Sequence, residues 1–414
     1  MAINISDQVF NINEYVYESL TINCNSKDYR IEPIQLLNLY IEKNFDDDYL
    51  PIIMMQIIMS DELYYNICMN PTKTTFTFLM KRQISISEKN KSAGSIFLSD
   101  KFVPLGVDGS PFNEKKMYDS INESDTAGKN STMTNFSNSR TFILAKRSDL
   151  NATKSITNLV LSNSDMLNAV SVCLTKAGVN KVLMSPMDNY TGYSELILLP
   201  QPLVAQLKYL NSFYGFYKEG AQIFFDLDCL YILRNTAKCT AYRQNEIQTV
   251  YFCIYDTTSG KTISVGSKSY SDTKTAYIGL SSANMSVDNL STSSNEFMGS
   301  NSTIINNDGN ISTATSGNGS SYNVLSNRTH NNYYSNELSL RMKELSCVVR
   351  MVVQNIDLTL LTPNKTFRIL ASDTDVAKKV SGAFRLVSTM TTFNHDGNKI
   401  NDTTIVTLKR TDAQ

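Results

Sequence analysis

Residues 203–233 read LVAQLKYLNSFYGFYKEGAQIFFDLDCLYIL. Leu203, Leu207, Leu210 and Tyr214 recur at three- and four-residue steps, which places them on one stripe of a short helix entered through Pro200 and Pro202 and ended by Gly215. After a bend at Lys218, Glu219 and Gly220, the residues Ile223, Phe224, Phe225, Leu227, Leu230, Tyr231 and Ile232 form a nearly continuous apolar run. Such a run is the pattern of a strand buried on both faces. A helix packed on a buried strand is therefore the expected centre, with most remaining strands on either side.

Towards the N-terminus, Val16 to Cys24 and Ile34 to Ile41 read as strands, with Asn25 to Asp28 as a turn and the acidic run Asp46, Asp47, Asp48 closing the second. Tyr49 to Met59 is apolar on both faces; Ser60, Asp61 and Glu62 then offer a cap and first-turn acids to a short helix through Ile67. The clearest strand follows. Phe76, Phe78, Met80, Ile84 and Ile86 alternate with Thr75, Thr77, Lys81, Gln83, Ser85 and Ser87. Long antiparallel strands with one wet face suit the wall of a barrel or ring with water in its lumen. Leu105 to Ser139 reads as a long surface loop. Beyond it lie strands at Thr141 to Ala145 and Ile156 to Leu161, and a helix capped by Ser164 and ended by Gly178. With Val182 to Ser185, Tyr193 to Leu199 and the Leu203 helix, these make a small mixed α/β unit.

On the C-terminal side, Gln248 to Tyr255 and Lys274 to Leu280 are strand-like. Residues 282–335 are rich in Ser, Asn, Thr and Gly, too poor in apolar residues for a core, and are expected to be mobile or ordered by a partner. Leu345 to Val353 alternates, Ile356, Leu358 and Leu360 continue the theme, and Phe367 and Ile369 return after a turn. Val380 to Phe393 and Thr403 to Lys409 form a last hairpin around Asp396-Gly397. The fold class is α+β, mainly β.

Lys+Arg 38 against Asp+Glu 39 leaves a net charge of −1, which argues against a general nucleic-acid or anionic-membrane binder. Seven cysteines without a CxxC pair read as reduced, buried thiols. No basic leader opens the chain and no apolar run reaches the ~18 residues of a membrane helix, so a soluble protein made in the cytoplasm is expected. Chemistry-bearing motifs are sparse: His330 and His395 are the two histidines, and neither HExxH nor GxSxG occurs. Asp226 and Asp228 share a face of the expected strand and are the candidate carboxylate pair of a wall-degrading hydrolase, against the reading of a polar strand edge. Asp46, Asp47 and Asp48 are either a solvated loop or acids lining a channel, where they would repel DNA phosphates. His395, Asp396, Asn398 and Asp402 lack the terminal Glu of a calcium loop and read as a plain hairpin. No catalytic, metal or cofactor site is expected.

Tyr209-Leu210, Tyr214-Gly215-Phe216-Tyr217, Gly220, Phe224-Phe225-Asp226 and Leu230-Tyr231 resemble the central hub proteins of contractile-tailed phage baseplates. Asp48-Tyr49-Leu50-Pro51-Ile52-Ile53, Ser185-Pro186-Met187-Asp188-Asn189-Tyr190, Leu361-Thr362-Pro363-Asn364-Lys365 and Gly382-Ala383-Phe384-Arg385-Leu386-Val387-Ser388 extend the likeness along nearly the whole chain. The resemblance implies two tail-tube-like antiparallel β-barrel domains with an inserted mixed α/β unit. On that plan, residues 1–104 form the first barrel, 105–215 a loop plus the insertion, 216–281 and 336–372 a second barrel interrupted by the loop 282–335, and 373–414 a hairpin completing the barrel region. It further implies a homotrimeric ring in the virion, assembled in the host cytoplasm. That ring would adapt a three-fold spike to the six-fold tail tube, touch baseplate wedge proteins, and let DNA pass through its bore without specific binding. A tail-associated peptidoglycan hydrolase using Asp226 and Asp228, or a receptor-binding module using the Ser/Asn-rich stretch, are the alternatives.

Overall fold

A computed structural model describes residues 2–4, 12–85, 95–111, 137–217, 220–227, 229–236, 241–255, 264–266, 274–288, 302–305, 311–314, 322–325, 347–396 and 399–412. The longer strands of the first part are β1 (Ile12–Cys24), β2 (Leu36–Asn44), β3 (Ile52–Ser60), β4 (Thr74–Ser85), β5 (Ser95–Val107) and β6 (Ser137–Lys146), with helix α1 (Asp61–Met69) between β3 and β4; the short strand Lys27–Ile31 turns back to pair with Leu20–Cys24 of β1. The middle holds α2 (Arg147–Lys154), β7 (Ile156–Ser164), α3 (Met166–Lys176), β8 (Val182–Met184), β9 (Tyr193–Pro202), α4 (Leu203–Phe213), β10 (Ala221–Phe225) and β11 (Leu230–Arg234). Then follow β12 (Thr249–Tyr255), β13 (Thr275–Ser281), β14 (Met285–Asp288), β15 (Val348–Gln354), β16 (Thr366–Ala371), α5 (Thr374–Lys379), β17 (Ala383–Asp396) and β18 (Lys399–Asp412).

Antiparallel ladders join β17, β2, β3, β6, β5, β4, β1 and β18 in that order, and β18 pairs back to β17, so the pairings run full circle. The β1/β18 ladder is the thin point, registered at Tyr15 and Ile400 alone. From the terminal hairpin the sheet extends two wings: β16, β12 and β13 beyond β17, the last three in parallel register, and β15 with β14 beyond β18. Among the described residues no ladder closes these wings into a second circuit.

Alternation builds this frame. Phe76, Phe78 and Met80 of β4, Leu20 and Ile22 of β1, and Ile53, Met55, Ile57 and Met59 of β3 are buried in one core, while Thr77 faces water. Each such side chain contributes roughly 1.5–3 kcal/mol through burial. The middle unit has its own core of Met166, Val170, Cys173, Leu196, Leu198, Leu203, Leu207 and Leu210. Here β7 pairs with β9, and β11 lies between β8, parallel to it, and β10, antiparallel. Gly178 (φ +71) and Gly215 (φ +76) end α3 and α4 in the left-handed conformation that the sequence assigned them.

The structure departs from the expectations at definite points. The apolar run from Ile223 to Ile232 is a hairpin: the Asp226 carboxylate accepts from Leu227 N–H (2.7 Å) and Asp226 N–H donates to the Cys229 carbonyl (2.9 Å), reversing the chain without Gly or Pro. Pro33–Gln35 is a 3-10 turn, so β2 starts at Leu36, and Leu358–Leu360 is another, capped by Asp357. Asp165, not Ser164, caps α3 by accepting from Asn168 N–H (2.8 Å). The strand β5 runs through Leu105 to Val107. Within 282–335, Met285–Asp288 pairs with β15, and Ser302–Ile305, Ile311–Ala314 and Tyr322–Leu325 make a small separate sheet. No described helix is long and apolar enough to cross a membrane.

Candidate functional site

The acidic run is a tight turn at the end of β2. Asn44 accepts from the N–H groups of Asp46 (3.2 Å) and Asp47 (3.3 Å) and donates to the Asp47 carboxylate (3.1 Å). That turn aims Asp46 inward, where both of its oxygens meet the fork of Arg385 on β17 (2.5 and 2.9 Å) and one meets Lys409 of β18 (3.1 Å). Arg385 is only 4 % exposed. Burial pushes the Asp46 carboxyl up, but Arg385 and Lys409 outweigh it and hold the group below the usual carboxylate range. Asp47 is exposed. Asp48 is raised by burial and by the neighbouring Glu42 and Asp47 charges. The three acids thus divide into one clamp at the surface, its side chain one-fifth exposed, one exposed charge and one carboxyl whose pKa is raised.

Asp226 is 3 % exposed and forms an ion pair with Lys43 of β2 (2.6 Å). Asp228 lies outside the described residues. Next to the same turn, Lys146 at the end of β6 donates to the Leu227 carbonyl (2.5 Å) and pairs with Asp100 of β5 (2.7 Å). Phe225 N–H donates to the Tyr49 carbonyl (2.8 Å), and Phe224 packs edge-on to Phe45 with ring centres 4.6 Å apart. The tip of the β10–β11 hairpin is therefore plugged into the frame, gripped by two lysines and an aromatic pair. Two clefts flank it. One, of about 470 Å³, includes Asp100, Lys146 and Asp149, whose carboxyl burial pushes up to about 6 despite Lys146. The other, of about 510 Å³, lies between the acidic turn, the end of α4 and β10.

Asp402 is buried in β18 opposite Phe393, and burial pushes its carboxyl up to about 7. His395 and Asp396, with which the sequence grouped it, stand in β17 opposite Ile400 and Lys399, two and three rungs along the ladder; Asn398 and His330 lie outside the described residues. Among the described residues no three His, Cys, Asp or Glu side chains come together as a metal site. Cys24, Cys68, Cys173, Cys229, Cys253 and Cys347 are buried thiols that form no disulfide among the described residues. The charged groups brought together here are suited to fastening two modules in a fixed relation.

The profile of a family described as Bacteriophage PBS1 gene 109 protein matches residues 4–411. The chain belongs to that family. No curated protein matches it by sequence. Among solved structures, the tail protein from Neisseria meningitidis MC58 is 9% identical, with a TM-score of 0.51 over 96% of this chain and 97% of that one. The 43 kDa tail protein of prophage MuSo2 from Shewanella oneidensis is 10% identical, with a TM-score of 0.51 over 96% and 98%. At such identity the likeness is one of fold: this member of the gene 109 family is folded as phage tail proteins are, end to end, as the hub resemblance implies.

Sequence reading did not find the cations of the site: Lys43, Lys146, Arg385 and Lys409. One signal was present. Arg385 stands alone in the apolar run Ala383-Phe384-Arg385-Leu386-Val387, and a guanidinium there requires an internal acid.

Proposed function

We propose that the chain is a structural subunit of a phage tail, a hub-like ring component that does no covalent chemistry. Its support is the end-to-end fold likeness to tail proteins in a chain of a phage family. Three copies form a ring between a three-fold spike and the six-fold tube, in contact with wedge proteins of the baseplate, and DNA passes through the bore. The site's chemistry fits this role. Asp226 clamps the middle unit to the frame and Asp46 ties together β2, β17 and β18 within the frame, the stiffness that a subunit under load at a symmetry mismatch requires. Asp47, exposed beside them, is the acid of the run best placed to face the bore and keep phosphates from sticking.

Mass measurement of the purified protein, alone and mixed with its neighbouring tail proteins, is expected to give trimers, and negative-stain images a three-fold ring with a central hole. A monomer under all these conditions would overturn the proposal.

A further inference from the structure

In the three-stranded sheet of the middle unit β10 is an edge strand, paired with β11 on one side and with no described strand on the other. Antiparallel geometry fixes which groups that edge offers. Asp226 N–H bonds inward to Cys229 and Phe225 N–H bonds outward to Tyr49. Backbone groups alternate sides along a strand, so Ile223 and Ala221 also turn their N–H and C=O outward. The segment of residues 45–49 begins to pair there, through Tyr49, and then diverges. Gly220 to Ile223 and the acidic turn become opposite walls of the cleft of about 510 Å³, a size typical of ligand pockets.

A second observation points to an occupant. Three side chains lining this cleft hold buried polar atoms with no hydrogen-bond partner: Gln222 Nε2, Asn235 Oδ1 and Tyr49 Oη. Gln222 is 5 % exposed. A buried polar atom left without a partner is costly, so two amide atoms and a phenol beside an edge with no described strand partner form a site in want of a polar ligand.

We propose that this cleft receives an extended peptide segment of another protein, added as a strand along Ala221–Ile223. Its main-chain amides complete the β10 edge, and an uncharged polar side chain, Ser, Thr or Asn, meets Gln222 and Asn235. The chemistry selects this class over others. A saccharide would stack on an open aromatic face, but Lys208 sits over the Tyr49 ring at 4.5 Å. An anion would meet the exposed Asp47 on the cleft wall, where Arg385 and Lys409 are engaged by Asp46 and Lys208 is held over the Tyr49 ring.

The test uses the full-length protein and a displayed library of random 12-residue peptides, followed by synthesis of the enriched sequence. The peptide is expected to bind wild type, and to bind about tenfold or more weakly to Ile223→Pro and to Gln222→Leu. Ile34→Ser, on a remote exposed side chain, is expected to change nothing. Proline at 223 removes an outward N–H and spares the β11 ladder, so the fold is expected to survive. Should it not, amide exchange in wild type decides: saturating peptide is expected to slow exchange at Ile223 and leave Phe224 unchanged. Undiminished binding to both variants, or unchanged exchange at Ile223, overturns the proposal. So does binding of a chitooligosaccharide that Gln222→Leu abolishes and Ile223→Pro leaves intact.

Discussion

Replacing Lys43 with Met tests whether the hairpin tip is locked to the frame by charge. At 2.6 Å, and with an effective dielectric near 20, the attraction between Lys43 and Asp226 is about 6 kcal/mol before desolvation is counted. Lys43→Met leaves the 3 %-exposed Asp226 carboxylate with the Leu227 N–H but no cation, and breaking a buried pair from one side costs about 3–5 kcal/mol. With an unfolding entropy of about 2 cal/mol/K per residue, 414 residues give roughly 1 °C of Tm per kcal/mol, so calorimetry should record a fall of about 3–6 °C. Lys43→Met combined with Asp226→Asn removes both charges and keeps an oxygen to accept from Leu227. The double variant is expected to recover at least half of the loss, a coupling that a double-mutant cycle in urea can read. A single-variant cost under about 1 kcal/mol, or a double variant equal to the sum of the singles, refutes the clamp.

The remaining predictions concern other parts of the frame. Arg385→Lys replaces a two-pronged contact with a point charge and is expected to cost about 1–3 kcal/mol in urea unfolding; no change would mean that Asp46 is held by Lys409 alone. Asp402, raised to about 7 from an ordinary value near 4, keeps its proton in the folded protein where the unfolded chain has released it. Folding stability from this group is therefore complete at low pH and is lost as pH rises through about 7, by about 1 kcal/mol per unit at the steepest. Asp402→Asn should flatten the dependence of Tm on pH between about 4 and 7, the interval in which the folded chain holds this proton and the unfolded chain does not, and an unchanged slope would remove Asp402 as its source. Ser60→Ala should cost about 1 kcal/mol by freeing the Leu63 N–H of α1, seen as a small loss of Tm with unchanged assembly.

What the sequence disclosed was local, and what it hid was distant. The β4 alternation, the Ser60 cap and the glycines after α3 and α4 each lie within one turn or one strand of their cause. The β10–β11 reversal was hidden because an aspartate side chain, not Gly or Pro, makes the turn. Helix α5 was missed although Asp373 caps it with bonds to Asp375 and Val376, because its six residues are too few to show a period. The acidic run was legible as a turn, but Asp46 finds Arg385 across 339 positions, and no spacing rule spans that distance. The same holds for Lys43 and Asp226, whose meeting depends on how the middle unit docks.

The circle of strands also dictates an order of events on the ribosome. Strands β1 to β6 emerge early, but β17 and β18, which must sit between β2 and β1, are translated long after. Through all that time the margin of β2 and the first half of β1 stay unpaired, the second half of β1 being covered at Leu20–Cys24 by the local strand Lys27–Ile31, and each open stretch is able to zip onto a neighbouring copy. Closure then rests on Tyr15, whose hydroxyl donates to the Ile356 carbonyl and accepts from Leu358 N–H, both at 3.0 Å, and whose ring lies edge-on to Phe393 of the late hairpin. A cell that makes this chain needs either a chaperone to shield those margins or a rate of synthesis fast enough to outrun their mispairing.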